Sequence, residues 1–337
     1  MDTSAKEIVF TDTGCNFCDQ ATKSFKDTLR PQNGEIIKQL ALENLKNRDK
    51  RKYDCLIGLS GGVDSSYMLH MAVSLGLRPL CYTVDNGWND PRADENIMRL
   101  VEALKVPFFR YTIDQDKFKE LQSAFIKSGT ENIEIPTDHV LFATTYEMAS
   151  KNGIKWILSG GNVATESIMP PSWGYNARDL AHIKDIYKKF TGKRLKGLPT
   201  LSLLKWNYYK WIKGIKIFYL LDHLIYERES AIELLEKKYG YKPYGDKHQE
   251  SEFTTWFQNF YLYNKFGIDK RKAHYSSLIV SGQMTRGEAL ERMREPVYYP
   301  QFGIEQQVLS YPKHHYKEYK TDEKLFNFIS KIIRRLT

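Results

Sequence analysis

The sequence predicts an α/β fold, a doubly wound parallel sheet of nucleotide-binding type followed by a mainly helical C-terminal region. Three observations carry it. Short apolar runs at 54–60, 78–87, 106–114 and 154–161 alternate with segments whose apolar residues recur at helical spacing. Two of those runs end in Gly-Gly pairs, Gly61-Gly62 and Gly160-Gly161, at the strand ends where such sheets bind ligands. Beyond about residue 177 the strand signal fades and helical patterns take over.

Taken in order, residues 1–30 read as irregular and about 34–49 as helical. DCLIGLS at 54–60 is the first strand, and the helix over 64–75 is closed by Gly76. The second strand, at 78–87, leads to Asp90-Pro91, an N-cap and first-turn pair that opens a helix to about residue 104. A third strand at 106–114, helices at about 115–127 and 137–151, and a fourth strand at 154–161 complete the alternation. Helices are expected at 177–191, 203–226, 230–239, 252–264, 271–281, 284–294 and 322–335. The organisation is thus an N-terminal segment (1–50), a nucleotide-binding domain (51–176) and a helical region (177–337).

Composition excludes several classes. With 42% hydrophobic side chains, including 22 Tyr, 17 Phe and 6 Trp, the chain can build a real core and is not a disordered protein. No stretch approaches the ~20 apolar residues of a membrane span. The start, MDTSAKEIVF, has no secretory-signal pattern, so a cytoplasmic protein is expected. Four cysteines make no disulfide framework. Cys55 and Cys81 read as buried small hydrophobes, and Cys15 and Cys18 as half of a zinc site that needs two further ligands. The net charge of +9 is uneven: 184–216 holds ten basic residues against the single acid Asp185, a segment that either attracts phosphates or is a solvated face. Overlapping it, the aromatic and lysine-rich stretch 197–226 reads as a core helix with snorkelling lysines or as an interfacial membrane helix.

The chemistry is concentrated in Ser60-Gly61-Gly62-Val63-Asp64-Ser65-Ser66, between a strand and a helix. Glycines admit an anion to the backbone, the helix N-terminus offers free N–H groups, and the three serine hydroxyls add donors. Asp64 beside a phosphate calls for a divalent cation. The pattern is neither a Walker loop nor a dinucleotide fingerprint.

SGGVDSS resembles the pyrophosphate-binding loop of the ATP pyrophosphatases, the PP-loop enzymes with an adenine nucleotide alpha-hydrolase-like fold. The resemblance implies ATP as substrate, with Ser60, Asp64 and Ser65 catalytic. Tyr82, Thr83 and Val84 would lie at the adenine, Asp85 and Asn86 near the ribose, and Gly160, Gly161 and Asn162 beside the nucleotide. Asp138 and Glu166 would be further magnesium ligands with Asp64. Each acid serves equally as an N-cap or a surface carboxylate.

Further segments extend the likeness over nearly the whole chain: MDTSAKEIVFTDTGCNFC, IPTDH (135–139), SGGN with Glu166, WGYNARD (173–179), and 274–290. Together with the loop, they look like the N-acetyl sugar amidotransferase family of surface-polysaccharide (O-antigen) synthesis. The resemblance implies conversion of an acetamido group on a nucleotide-linked or nonulosonic sugar into an acetamidino group. It also implies a separate glutaminase subunit, similar to that of histidine biosynthesis, because no glutaminase nucleophile is evident in this chain. Arg178, His274, Ser276, Ser277, Gln283 and Arg286 would lie near the sugar. Arg286 also reads as an ordinary first-turn residue, with Thr285 as N-cap and Glu288 completing a capping box.

Relatives usually carry a second Cys-x-x-Cys just upstream of the MDTS text. Here that text begins the sequence, so either the start lies further upstream or this member has lost the zinc. The alternative reading is a tRNA-modifying enzyme of the same fold, of thiolation or lysidine type, favoured by the basic segment and the cysteine pair. Against it, Cys55 and Cys81 are poorly placed for persulfide work and no RNA-binding module is evident, so no nucleic-acid partner is expected.

Overall fold

A computed structural model describes residues 1–12, 14–28, 51–174, 176–244, 247, 249–322 and 324–325. The helix expected at about 34–49, and almost all of that at 322–335, lie outside the described residues.

Five parallel strands form the central sheet: β3 (Cys55–Gly58), β4 (Pro79–Asp85), β5 (Phe108–Thr112), β6 (Trp156–Leu158) and β7 (Lys216–Phe218). Their order is β5-β4-β3-β6-β7, with Ile57 opposite both Cys81 and Leu158. A small hairpin, β1 (Phe10–Thr11) with β2 (Gly14–Cys15), precedes α1 (Asn16–Thr28). The sheet is wrapped by α2 (Val63–Ser74), α3 (Pro91–Leu104), α4 (Gln115–Ser128) and α5 (Ile135–Lys151). The predicted α/β fold is therefore the observed one.

Strand residues alternate between two cores, as burial on both faces of a parallel sheet requires. Leu56, Leu80, Tyr82 and Ile157 pack with Phe118 and Phe125 of α4 and Val140 of α5. Cys55, Ile57, Cys81 and Leu158 pack with Met68 and Leu69 of α2 and Ile97 and Leu100 of α3. Cys55 and Cys81 are thus buried free thiols, and burial pushes the Cys81 thiol up to about 12. The expected cap at α3 forms, the Asp90 carboxylate accepting from the Arg92 N–H at 2.7 Å.

The C-terminal part is mostly helical: α6 (Val163–Glu166), α7 (Leu180–Thr191), α8 (Leu203–Asn207), α9 (Arg228–Tyr239), α10 (Glu252–Trp256), α11 (Arg271–Val280), α12 (Arg286–Arg294) and α13 (Glu305–Ser310). One expectation fails there. The helix predicted at 203–226 is instead α8, a π-helical turn Tyr208–Ile212, strand β7 and a 3-10 turn Leu220–His223. Gly214 at φ +66° ends the helical run, and the β-branched stretch after it has the open edge of β6 to pair with. Among the described residues, no helix is long and apolar enough to cross a membrane.

Residues 250–252 are tied to the turn after β4. Asp90 donates its N–H to the Glu250 carbonyl at 2.9 Å, and Glu252 donates to that of Trp88 at 3.0 Å. This suspends Glu250 and α10 over the carboxyl ends of the strands.

Candidate active site at the reversal of strand order

The winding direction of the sheet reverses between β3 and β6, so the loops leaving their carboxyl ends diverge and open a crevice. Both Gly-Gly turns lie there. Gly61, at φ +82°, takes a conformation that L side chains resist, and a Cβ on it would meet the Ala93 carbonyl oxygen at 2.3 Å. A Cβ on Gly160 would stand 3.3 Å from the Ser65 nitrogen, so the second turn packs against the N-terminus of α2. That helix begins at Gly62 without a side-chain cap, which leaves its positive end to the crevice.

Three cavities meet here. The cradle, about 250 Å³, is lined by Ser60, Gly62, Val63, Asp64, Ser65, Gly160, Gly161 and Glu166. Tyr241, Pro243 and Tyr244, from the loop after α9, close it over. A second cavity of about 470 Å³ runs past the end of β4, along Tyr82, Thr83, Val84 and Asn86, to Glu134 and Asp138. A third, about 400 Å³, lies among Arg228, Arg271, His274, Gln283 and Arg292. Arg228 and Lys247 line the first and third, Glu250 the first and second, and Lys270 and His274 the second and third.

Lys247 is the hub. Its Nζ lies 2.8 Å from a carboxylate oxygen of Asp64 and 2.8 Å from one of Glu166, and donates to the Thr165 hydroxyl. Burial alone pulls the Lys247 pKa down, but the two carboxylates outweigh it and hold it above the ordinary value. Tyr226 donates its phenolic proton to Asp64. Burial first, and then the Asp64 charge, raise the pKa of that phenol, so it remains a donor. Gln283 fixes the segment between them: its Oε1 accepts from Arg228 N–H at 2.9 Å and its Nε2 donates to the Tyr226 carbonyl at 3.0 Å.

A second titratable group lies where the other two cavities adjoin. Burial pushes Asp138 up to about 6, with Lys270 opposing the shift. Burial, assisted by the Asp138 charge, pushes Glu134 up to about 8. Burial pulls Lys270 down to about 8, against the pull of both acids. Glu134 accepts from the Thr254 hydroxyl at 2.5 Å.

The expected site residues divide accordingly. Ser60, Gly62, Val63, Asp64, Ser65, Gly160, Gly161 and Glu166 come together in the cradle, and Tyr82, Thr83 and Val84 line the cavity beside it. Gly61 shapes the turn from behind. Ser66 is buried beneath the cradle and does not line it. Asp85 turns back on its own loop, accepting from Gly87 N–H at 3.0 Å, and Asn162 caps α6 by accepting from Thr165 N–H at 2.9 Å. Asp138 faces Lys270 in the adjoining cavity rather than joining Asp64 and Glu166.

Of the expected sugar residues, His274 and Gln283 line the third cavity. Ser277 instead ties α11 inward, accepting from Ile168 N–H at 3.1 Å, and Ser276 accepts from the terminal ammonium of Met1 at 2.9 Å. Arg178 stacks over Trp206 at 4.6 Å. Arg286 is an exposed first-turn residue, with the Thr285–Glu288 capping box formed as expected. Cys15 and Cys18 do meet, sulfur to sulfur at 3.3 Å, and burial with the neighbouring thiol raises Cys18 to about 11. Among the described residues, no group of three or more His, Cys, Asp or Glu stands together to hold a metal.

Sequence reasoning missed Tyr226, Arg228, Lys247, Glu250, Glu134 and Lys270. Helical spacing offers a signal for two of them. Lys270 lies four residues before His274 and Glu134 four before Asp138, each pair one helical turn apart.

Comparison with known proteins adds one family match. Residues 250–307 match the family described as LPS biosynthesis protein WbpG-like, C-terminal domain. That span supplies Glu250, Lys270, Arg271, His274, Gln283 and Arg292 to the cavities. No curated protein matches. Solved structures that align with the chain include an NMN synthetase from Francisella tularensis at 16% identity and TM-score 0.39, covering 80% of this chain and 99% of that one. Another is the U34-tRNA thiolase NcsA from Methanococcus maripaludis with its [4Fe-4S] cluster, at 14% identity and TM-score 0.37, covering 90% and 92%. A third is the ammonia-dependent NAD synthetase from Campylobacter jejuni, at 14% identity and TM-score 0.31, covering 64% and 99%.

Proposed function

We propose that this chain is an ATP-dependent amidotransferase of surface-polysaccharide synthesis, converting the acetamido group of an N-acetyl sugar into an acetamidino group. The observation that carries the reading is the meeting of three cavities around Lys247, Arg228 and Glu250: a cradle at the N-terminus of α2, a cavity of about 470 Å³ past the end of β4 and a third polar cavity. The match of residues 250–307 to a lipopolysaccharide-synthesis family supports a sugar as the occupant of the third.

In this reading the amide oxygen attacks the α-phosphorus of ATP and pyrophosphate leaves. Ammonia then adds to the activated carbon, and AMP departs carrying the former amide oxygen. The α2 N-terminus, Ser60 and Ser65 hold the phosphates, and Lys247 and Arg228 offset their charge. Asp64 and Glu166 supply the hard oxygen donors that suit magnesium, and the ion when bound would neutralise phosphate charge. Lys270, held low enough to release a proton near neutral pH, is placed to accept one from the entering nitrogen. Ammonia would come from a separate glutaminase subunit.

The test offers the purified chain ATP, magnesium, ammonium chloride and a panel of nucleotide-linked acetamido sugars. AMP release together with exchange of oxygen for NH in the sugar, read by mass spectrometry, supports the reading. AMP release only with tRNA replaces it with the RNA-modifying alternative.

A further inference from the structure

We propose that the turn Leu203–Ile212 docks this protein on the anionic face of a phospholipid bilayer. The inference does not depend on the function proposed above. In this stretch the usual amphipathic order is inverted at the surface. Leu203 and Tyr209 are buried, whereas Leu204 is 83% exposed, Ile212 74%, Trp211 52% and Tyr208 44%. Positions 204, 208, 211 and 212 recur at helical spacing, so the exposed apolar groups share one face.

That face is rimmed by lysines. Lys210 Nζ lies 4.9 Å from the Trp211 ring centroid and Lys213 Nζ 5.7 Å from that of Tyr208, and Lys216, 5.2 Å from the Trp156 centroid, follows them at the start of β7. The sequence holds no acid between Asp185 and Asp222.

Charge and shape together select the occupant. A second copy of the same face would bring lysine against lysine, so a symmetric self-contact is disfavoured. Nucleic acid would use aromatic planes and arginines, yet the most exposed members here are Leu204 and Ile212, which stack on no base. Aliphatic side chains with Trp and Tyr at the rim and Lys reaching for phosphates is the composition of an interfacial helix.

The placement leaves the crevice free. Lys216 pairs with Trp156 at the start of β7, the end of that strand remote from the Gly-Gly turns. A docked molecule therefore keeps its three cavities open.

The full-length chain is sedimented with neutral phosphatidylcholine vesicles and with vesicles containing phosphatidylglycerol. It should co-sediment with the anionic vesicles only, less so as salt rises, and Trp211 emission should shift to the blue. The double variant Leu204→Ser, Ile212→Ser should lose about tenfold in partitioning with an unchanged melting curve, as should Lys210→Gln, Lys213→Gln. Equal binding to both vesicle types, or unchanged binding by both variants, overturns the proposal. So does binding of tRNA, or a change of oligomeric mass, that the same variants abolish while vesicle binding persists.

Discussion

Lys247 Nζ stands 2.8 Å from a carboxylate oxygen of Asp64, joining a loop that follows α9 to the first residues of α2. The contact places a cation at the N-terminus of a helix that already favours anions. The same Nζ is 2.8 Å from Glu166, at the far side of the second Gly-Gly turn, so one ammonium closes the crevice from both walls.

Removing either partner separates two roles. Asp64→Asn should lower kcat for AMP formation by about a hundredfold or more while ATP still binds. Lys247→Met leaves two carboxylates without their shared cation and should cost about 3 kcal/mol in metal-free buffer. Magnesium should recover more stability in that variant than in the parent, and thermal melts with and without magnesium measure the difference.

The glycine turn makes a second prediction. Gly61→Ala combines a positive φ with a Cβ 2.3 Å from the Ala93 carbonyl oxygen and should destabilise by about 3 kcal/mol or prevent folding. Gly76 has a similar φ with open space around it, so Gly76→Ala should cost only about 1 kcal/mol. Denaturant midpoints of the two variants decide it.

The family resemblance places both Gln283 and Ser277 near the sugar, yet their contacts differ and so should their variants. Gln283→Ala releases the segment that aims Tyr226 and Arg228, so kcat should fall by about tenfold. Ser277→Ala removes an inward tie between α11 and Ile168, so stability should fall by about 1–2 kcal/mol with kcat/KM unchanged. Parallel kinetics and unfolding curves separate the cases.

A pH signature follows from Glu134. Its pKa rises from an ordinary 4.5 to about 8 on folding, so between those values the folded state binds more protons than the unfolded chain. Stability contributed by the neutral acid is complete below about pH 4.5 and drains away as pH rises toward 8. Glu134→Gln keeps the acceptor for Thr254 and abolishes the charge. It should leave stability at pH 5 nearly unchanged and raise it by about 2 kcal/mol at pH 8.5, as melts at the two pH values would show.

Much of the scaffold was legible because its signals are local. The apolar runs, the Gly-Gly turns, the Asp90 cap and the Thr285–Glu288 box each lie within a few consecutive residues, and each forms as read. Strand β7 was not legible: Lys216–Phe218 continues a helix-like aromatic run, and only the open edge of β6 makes it a strand. The same divide separates the cradle from its cations. Ser60 to Ser65 form one contiguous motif, whereas Tyr226 and Lys247 reach Asp64 from more than 160 positions away and carry no spacing of their own. Ser276 and Ser277 show the converse, polar residues within a recognised segment that tie the fold together, and Ser66 is buried beneath the crevice rather than lining it.

Activation of an amide oxygen with ATP leaves a trace in the fate of that oxygen. The direct measurement supplies an acetamido sugar whose carbonyl carries a heavy oxygen isotope, with ATP, magnesium and ammonium, and follows the label by mass spectrometry. The label should leave the sugar and appear in AMP, in amount equal to the amidine formed, and Asp64→Asn should abolish the transfer. AMP formed without label, or label retained in the sugar while ATP is consumed, would contradict it.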